Sequence, residues 1–435
     1  MRQRVAVIGS GIAGLSAAHH LNNHVHLSLF EAGSYFGGHT HTVDVTLPSA
    51  QGSVTHGVDT GFLVYNQRTY PGLIALFESL NIRTAPSDMS FSVQTHWDDT
   101  GKALEWNGAN LNSVFAQRSN LLRPRFWGLL SDIMRFNQLA TDLAKNAEAD
   151  ALTQPLQQFL DAHRFGSAFR QGYLLPMLGC IWSCPTTQML QFPVATMVRF
   201  CDNHGLLQVN NRPPWFTVAG GAKHYVKAIT EQIQDKRLNT PVLGIVRDEH
   251  GVQVHTAQGV ERFDQVVMAT HADQALSLLD QPSTDEQALL GAIRFQANRA
   301  VLHTDTNVMP KRRLAWAAWN YQRTQANSEN ARVCLHYWLN KLQPLPFKQD
   351  VIVSLNPASA IDPANVLGSY DYDHPVFDLP AIAAQSELPR LQGQQRTWYA
   401  GAWMRYGFHE DGFQAGRAAA QGLLAQHSHK QKALA

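Results

Sequence analysis

The chain has 435 residues, 44% of them hydrophobic, enough to bury a large core and commonly to divide into two domains. Its 35 basic and 34 acidic residues leave a formal net charge of +1, which removes the electrostatic case for nucleic-acid binding. Four cysteines cannot staple a fold of this size and no apolar run approaches a membrane span, so composition points to a reduced, cytoplasmic protein in which peripheral membrane contact stays open.

Val5 to Ile8 is an apolar run that opens directly into Gly9, Ser10, Gly11, Ile12, Ala13 and Gly14. Leu15 to Leu21 predicts a helix, and His26 to Phe30 predicts a second strand ending on Glu31 and Ala32. Strand, glycine turn, helix, strand and acid in this order make a dinucleotide-binding unit. Gly9 permits the tight turn, Gly11 lets backbone approach a pyrophosphate at the helix N-terminus, and Gly14 lets helix and strand pack closely. Glu31 is placed to accept hydrogen bonds from a ribose. Arg2 and Arg4 ahead of an apolar stretch superficially match a signal peptide, but cleavage there would destroy the nucleotide fingerprint.

Gly37-Gly38-His39-Thr40-His41-Thr42 follows closely on the acid. A nicotinamide dehydrogenase has no ordinary need of this second glycine segment. A flavoprotein does, because its chain passes again beneath the pyrophosphate and ribityl chain. Further along come Val58-Asp59-Thr60-Gly61-Phe62 running to Tyr70, Val218-Ala219-Gly220-Gly221, Pro241 to Ile245 and Phe263 to Thr270. Near the end stand Trp398-Tyr399-Ala400-Gly401-Ala402 and His409 to Gly416. In these motifs and their order the chain resembles the flavin-containing amine oxidase superfamily, which also holds phytoene desaturases and protoporphyrinogen oxidase. Within it the chain is most similar to the bacterial amine-oxidase-like flavoproteins.

The resemblance implies FAD, with contacts from Gly37, Gly38, His39 and Thr40, then Thr60, Gly61 and Phe62 beside the flavin ring. It implies a backbone contact from Val242 to the adenine and further contacts from Ala269, Thr270, Gly401 and Ala402. It sets the Glu410 N–H near a flavin carbonyl and Asp411 at the family's acidic position in the same turn. His39 replaces the family's arginine, so a permanent charge becomes a titratable one. No cysteine lies near the C-terminal motif, where some relatives attach flavin covalently, so the FAD is expected to be noncovalent.

The fold class expected is α/β: a discontinuous Rossmann-like FAD-binding domain from residues 1–75, 210–285 and 390–435. A second, substrate domain from 76–209 and 286–389 would combine a mixed β-sheet with a helical cap at about 110–200. The cap is read from Phe115, Leu121, Leu122, Phe126, Trp127, Leu130, Ile133, Met134 and Phe136, spaced at threes and fours. Arg299 to His303 and Val333 to Trp338 predict strands, Gly412 to Leu423 a helix, and 427–435 a frayed end.

His409 stands where amine oxidases carry an aromatic cage residue, so it is a candidate acid–base or hydrogen-bonding group; a histidine satisfied within a tight turn is the alternative. Tyr65 is the second catalytic candidate, with His41, Asn66 and Tyr406 also near the flavin motifs. The family's lysine beside the flavin would fall in Asn298 to His303, where the only fixed cation is Arg299. Ala402 takes the place of a frequent acid. Both departures count against amine oxidation. His39 and His41 lack a third ligand at suitable spacing and Cys180 with Cys184 suits burial, so no metal is expected. A cap rich in Leu, Phe, Trp and Met points to an apolar, lipid-like small-molecule substrate. Four readings stay open: an FAD-dependent oxidoreductase taking a hydride from a C–H bond, a redox-neutral isomerase or desaturase of unsaturated fatty acyl chains, an amine oxidase, and a non-catalytic flavin-binding protein. Oligomeric state is not readable.

Overall fold

Val5, Ala6 and Val7 are fully buried in the strand Arg4–Ile8, the pattern of a parallel strand covered on both faces. In the computed structural model, which describes residues 2–97, 100–146, 154–183, 185–208, 212–323 and 332–434, this strand lies at the centre of a five-stranded sheet. It pairs with His26–Phe30 on one side and Gln265–Met268 on the other, and Asp235–Arg237 and Thr397–Tyr399 form the edges. Every pairing is parallel. Three distant stretches of chain therefore build one nucleotide-type sheet.

Two helices lie against each other beside it. Ile12–Leu21 follows the glycine turn, and His409–Leu434 packs across it. They approach closely because Gly416 has no side chain: a Cβ there would sit 2.0 Å from the Ala13 carbonyl oxygen. The Ser16 hydroxyl donates to the Phe413 carbonyl at 2.7 Å and fixes the crossing.

The second large sheet has seven strands, in the order Val366–Pro375, Phe295–His303, Ile352–Leu355, Cys334–Trp338, Trp319–Gln322, Phe91–His96 and Ala103–Asn107. All its pairs are antiparallel except Trp319–Gln322 with Phe91–His96. Over it lie Pro124–Asn146, Leu156–Ala162, Leu175–Trp182 and Val194–Asn203, whose buried faces meet in a core that includes Phe136, Phe159, Phe165, Phe169 and Phe200.

Two local readings differ from the sequence expectation. Phe263 to Thr270 is not one strand: Gly259–Phe263 closes a three-stranded antiparallel meander with Val242–Asp248 and Gly251–Thr256, and Gln265–Met268 enters the parallel sheet. Asp264 makes the break, its carboxylate accepting the Arg4 N–H at 2.7 Å. The C-terminal helix begins at His409 and continues to Leu434, past the expected fraying point, through strong helix formers. Cys184 lies outside the described residues.

Candidate functional site

The glycine turn joins the first strand to its helix with each glycine in a distinct role. Gly9 has φ +95°, a left-handed value that side chains disfavour. A Cβ on Gly14 would lie 1.9 Å from the Gly9 carbonyl oxygen, so helix and strand touch there. A Cβ on Gly11 would meet nothing within 4 Å: open space lies in front of the helix N-terminus. Gly38 closes in from the second glycine segment, its own Cβ position 3.1 Å from the Gly11 Cα. This backbone cradle fits a dinucleotide pyrophosphate.

Ser10 and Glu31 hold the cradle in shape. The Glu31 carboxylate accepts the Ser10 N–H at 2.9 Å, the Ser10 hydroxyl at 2.5 Å and the Gly33 N–H at 2.8 Å. The Gly37 N–H in turn donates to Ser10 Oγ at 3.1 Å. The segment through His39 runs beside Thr60-Gly61-Phe62, with Phe62 N–H donating to the His39 carbonyl at 2.8 Å.

These groups line one end of a cavity of about 750 Å³. Gly9, Ser10, Gly11, Ile12, Ala13, Glu31, Ala32, Gly37, Gly38, His39, Thr60, Gly61, Phe62, Val242, Ala269, Thr270, Gly401, Ala402 and His409 all reach its wall. The far end is formed by Met177, Ile181, Trp182 and Phe200 from the cap and by Phe91, Trp106, Trp319, Tyr337, Val353 and Leu355 from the large sheet. Among the described residues, the wall carries no lysine, and its only charged side chains besides histidine are Glu31, Arg212 and Asp373.

Gly14 and Thr40 stand behind the wall. The Thr40 hydroxyl bonds Tyr225 Oη at 2.5 Å and His409 Nε2 at 3.2 Å. His409 stacks on Phe62 with ring centroids 3.8 Å apart, and its Nε2 shares a hydrogen bond with the Tyr225 hydroxyl at 2.6 Å. Burial pushes its pKa down to about 3, so it is a neutral wall and not a proton donor near pH 7. Tyr65 is off the cavity altogether: its buried ring packs on Tyr70, Phe77 and Phe216. The short strand Tyr65–Asn66 pairs with Trp215 and Phe216, which turns the side chain into the core. Arg299 also faces away, exposed and 4.0 Å from Asp371, whereas its neighbour Ala300 lines the cavity.

Glu410 and Asp411 do not reach the wall either. The Glu410 carboxylate accepts the Gly72 and Leu73 N–H groups, both at 2.9 Å, and Gln414 Nε2 at 2.5 Å. It thus caps the helix Pro71–Ser79 from across the fold. Asp411 accepts the Phe408 N–H at 3.0 Å and caps its own helix, and burial raises its pKa to about 6. Glu410→Ala is expected to lower stability by about 3 kcal/mol through two stranded buried N–H groups, with flavin still bound. Urea unfolding of the two proteins checks this, and equal midpoints would remove the capping role.

Sequence reasoning missed three wall residues, His271, Tyr372 and His374, which gather around His39. The His39 ring lies 5.0 Å from Tyr372, 5.4 Å from His374 and 6.3 Å from His271. Burial, then the neighbouring histidines, hold His39 well below its usual pKa, and its Nε2 is buried without a partner. His374 and Tyr372 sit on the edge strand Val366–Pro375, far from every glycine motif, and no local pattern marks them. Among the described residues no group of three or more metal-ligating side chains converges.

The family model described as flavin containing amine oxidoreductase matches residues 12–348. No curated protein matches the chain in sequence. Among solved structures, cyclohexylamine oxidase from Brevibacterium oxydans IH-35A is 16% identical, with TM-score 0.69 over 98% of this chain and 100% of that one. A CLA-producing fatty acid isomerase from P. acnes is 15% identical, with TM-score 0.65 over 96% of this chain and 98% of that one. An oxidoreductase from Methanosarcina mazei is 13% identical, with TM-score 0.62 over 96% and 99%. These likenesses establish a shared fold.

Proposed function

We propose, since this chain belongs to the flavin containing amine oxidoreductase family and takes FAD as its cofactor, that it removes a hydride from a C–H bond of a small apolar, lipid-like substrate. The observation that carries this reading is the continuity of one cavity from the glycine cradle into a chamber of aromatic and aliphatic side chains. Bound without a covalent link, FAD supplies the hydride acceptor at its ring.

The protein's own part is placement and electrostatics. Gly11 and Gly38 would hold the phosphates by backbone and Glu31 would take the ribose, while Gly9, its N–H donated to the Phe30 carbonyl, makes the turn. Met177, Trp182 and Phe200 exclude water and seat an apolar chain against the ring. Phe62 and His409 make a flat wall whose orientation Tyr225 fixes. The N-terminus of His409–Leu434 opens at this wall, where its positive dipole end would favour negative charge on a bound, reduced ring.

Amine oxidation is the weaker reading because no lysine stands on the described wall and the chamber is predominantly apolar. The fatty acid isomerase with the same fold supports acyl chains as the substrate class, and with it a redox-neutral variant in which the hydride returns to another carbon. Anaerobic mixing of the yellow protein with oleic acid, free or esterified in phospholipid, tests the reading. Bleaching of the flavin band is expected with an acyl compound, and acyl product formed without any added acceptor would mark the isomerase. Bleaching by cyclohexylamine with no response to any acyl compound would overturn the proposal.

A further inference from the structure

The outer face of the cap carries a concentrated apolar surface. Among the described residues twelve large hydrophobic side chains are exposed, and five of them, Leu111, Leu121, Leu122, Trp127 and Met134, fall within residues 111–134. Leu111 is 78% exposed, Leu122 88% and Trp127 50%. Scattered exposed hydrophobics are ordinary, but a cluster on one short segment marks an interaction surface.

The segment is a built knob. The helix Leu111–Val114 is tied to the following turn by Arg118, whose guanidinium donates to the Phe115 carbonyl at 3.0 Å and the Asn112 carbonyl at 3.4 Å. Trp127 Nε1 donates to the Leu121 carbonyl at 3.0 Å, which binds the turn to the start of the helix Pro124–Asn146. Leu121 and Leu122 are therefore held outward on a braced turn. Their exposure is fixed by the fold.

Charge decides between occupants. Across residues 111–134 the chain has three arginines, Arg118, Arg123 and Arg125, and one carboxylate, Asp132, which pairs with Arg135 at 2.9 Å. Arginine interleaved with Leu and Trp fits the interfacial layer of an anionic bilayer, where the indole settles at headgroup depth. A second copy would bring the same three charges face to face. No helix among the described residues is long and apolar enough to cross a membrane, so contact would be by lying on the surface.

The knob also backs directly onto the chamber. Exposed Trp127 packs on buried Phe115 with centroids 5.3 Å apart, Phe115 on Phe126 at 5.7 Å, and Phe126 on Trp106 at 6.0 Å. Trp106 is a wall of the apolar cavity. We propose that Leu111, Leu121, Leu122 and Trp127, flanked by Arg118 and Arg123, dock the protein on an anionic lipid bilayer and set the cap side of the chamber against the membrane.

Vesicle binding is measured without turnover, so its outcome is independent of the reaction proposed above. Flavin-loaded full-length protein is sedimented with phosphatidylcholine vesicles with and without phosphatidylglycerol. Wild type is expected to pellet with the anionic vesicles and to be released by high salt. Leu122→Asp should lower partitioning by about tenfold or more, and Arg118→Gln by about fivefold. An unchanged visible flavin spectrum shows that each variant is folded. Three results would overturn the proposal: no pelleting of wild type, equal pelleting of Leu122→Asp, or a wild-type dimer without vesicle binding that Leu122→Asp splits.

Discussion

A Gly11→Val chain is expected to purify folded but colourless. Open space, not protein, surrounds the position a Cβ would take, so the apo protein accommodates the substitution within about 1 kcal/mol. The added isopropyl group instead fills the space in front of the Ile12–Leu21 helix where backbone N–H groups meet the pyrophosphate. Gly14→Val makes the contrast, because its Cβ would strike the Gly9 carbonyl and disturb the fold itself. Visible absorbance after reconstitution with FAD, set beside a thermal melt of the apo proteins, separates the two. A yellow, fully loaded Gly11→Val protein would mean the phosphates lie elsewhere.

The second large effect is acid sensitivity. His303 and His336 are completely buried and linked through Ser354. The proton order along this line is determined from its ends. Asp305 N–H donates to His303 Nδ1 at 3.1 Å, so His303 Nε2 carries the proton and donates to Ser354 Oγ at 2.7 Å. Ser354 then donates to His336 Nδ1 at 2.6 Å, and His336 Nε2 donates to Gln322 Oε1 at 2.9 Å. A proton added to either ring sets donor against donor. Burial holds the two rings at about 4 and about 3.

The unfolded chain binds these protons near pH 6.5 and the folded one does not, so stability is lost as pH falls from 6.5 towards 4. Each histidine costs about 2 kcal/mol at about pH 5, a large share of a total of roughly 5–15 kcal/mol. His39, His204, His374 and His409, all lowered by burial, act in the same direction. Asp59 and Asp411, raised by burial to about 7 and about 6, oppose them, but they are fewer than the buried histidines. Thermal melts from neutral pH to about pH 5 should show a steep fall in Tm, shallower in the His303→Gln, His336→Gln double variant. A Tm independent of pH in that range would refute the neutral-histidine account.

What was readable in the sequence was local. Gly9, Gly11 and Gly14 declare their roles because turn geometry and helix start depend on residues a few positions apart. Glu31 and Gly37 are within reach of the same loop. Tyr65 misled because closeness in sequence to Thr60, Gly61 and Phe62 does not survive the turn into the strand Tyr65–Asn66, which points the ring inward. The capping role of the Glu410 carboxylate was not readable because its partners, Gly72 and Leu73, lie more than three hundred positions away. The same holds for His374 beside His39 and for the line from His303 to His336. Such pairings are decided by packing between sheets, and no periodicity records them.

The order of strands in the five-stranded sheet has a consequence during synthesis. Arg4–Ile8 leaves the ribosome first, yet the neighbour that covers one of its edges, Gln265–Met268, emerges some 260 residues later, and Thr397–Tyr399 later still. For most of translation the cofactor cradle has an unpaired parallel edge and lacks the helix His409–Leu434 that clamps it. The nascent chain is expected to expose Val5 and Val7 to other unfinished chains, and the FAD cradle is expected to be complete only after the last of these segments has emerged. Yield of yellow protein should therefore respond more to chaperone supply during expression than to added riboflavin.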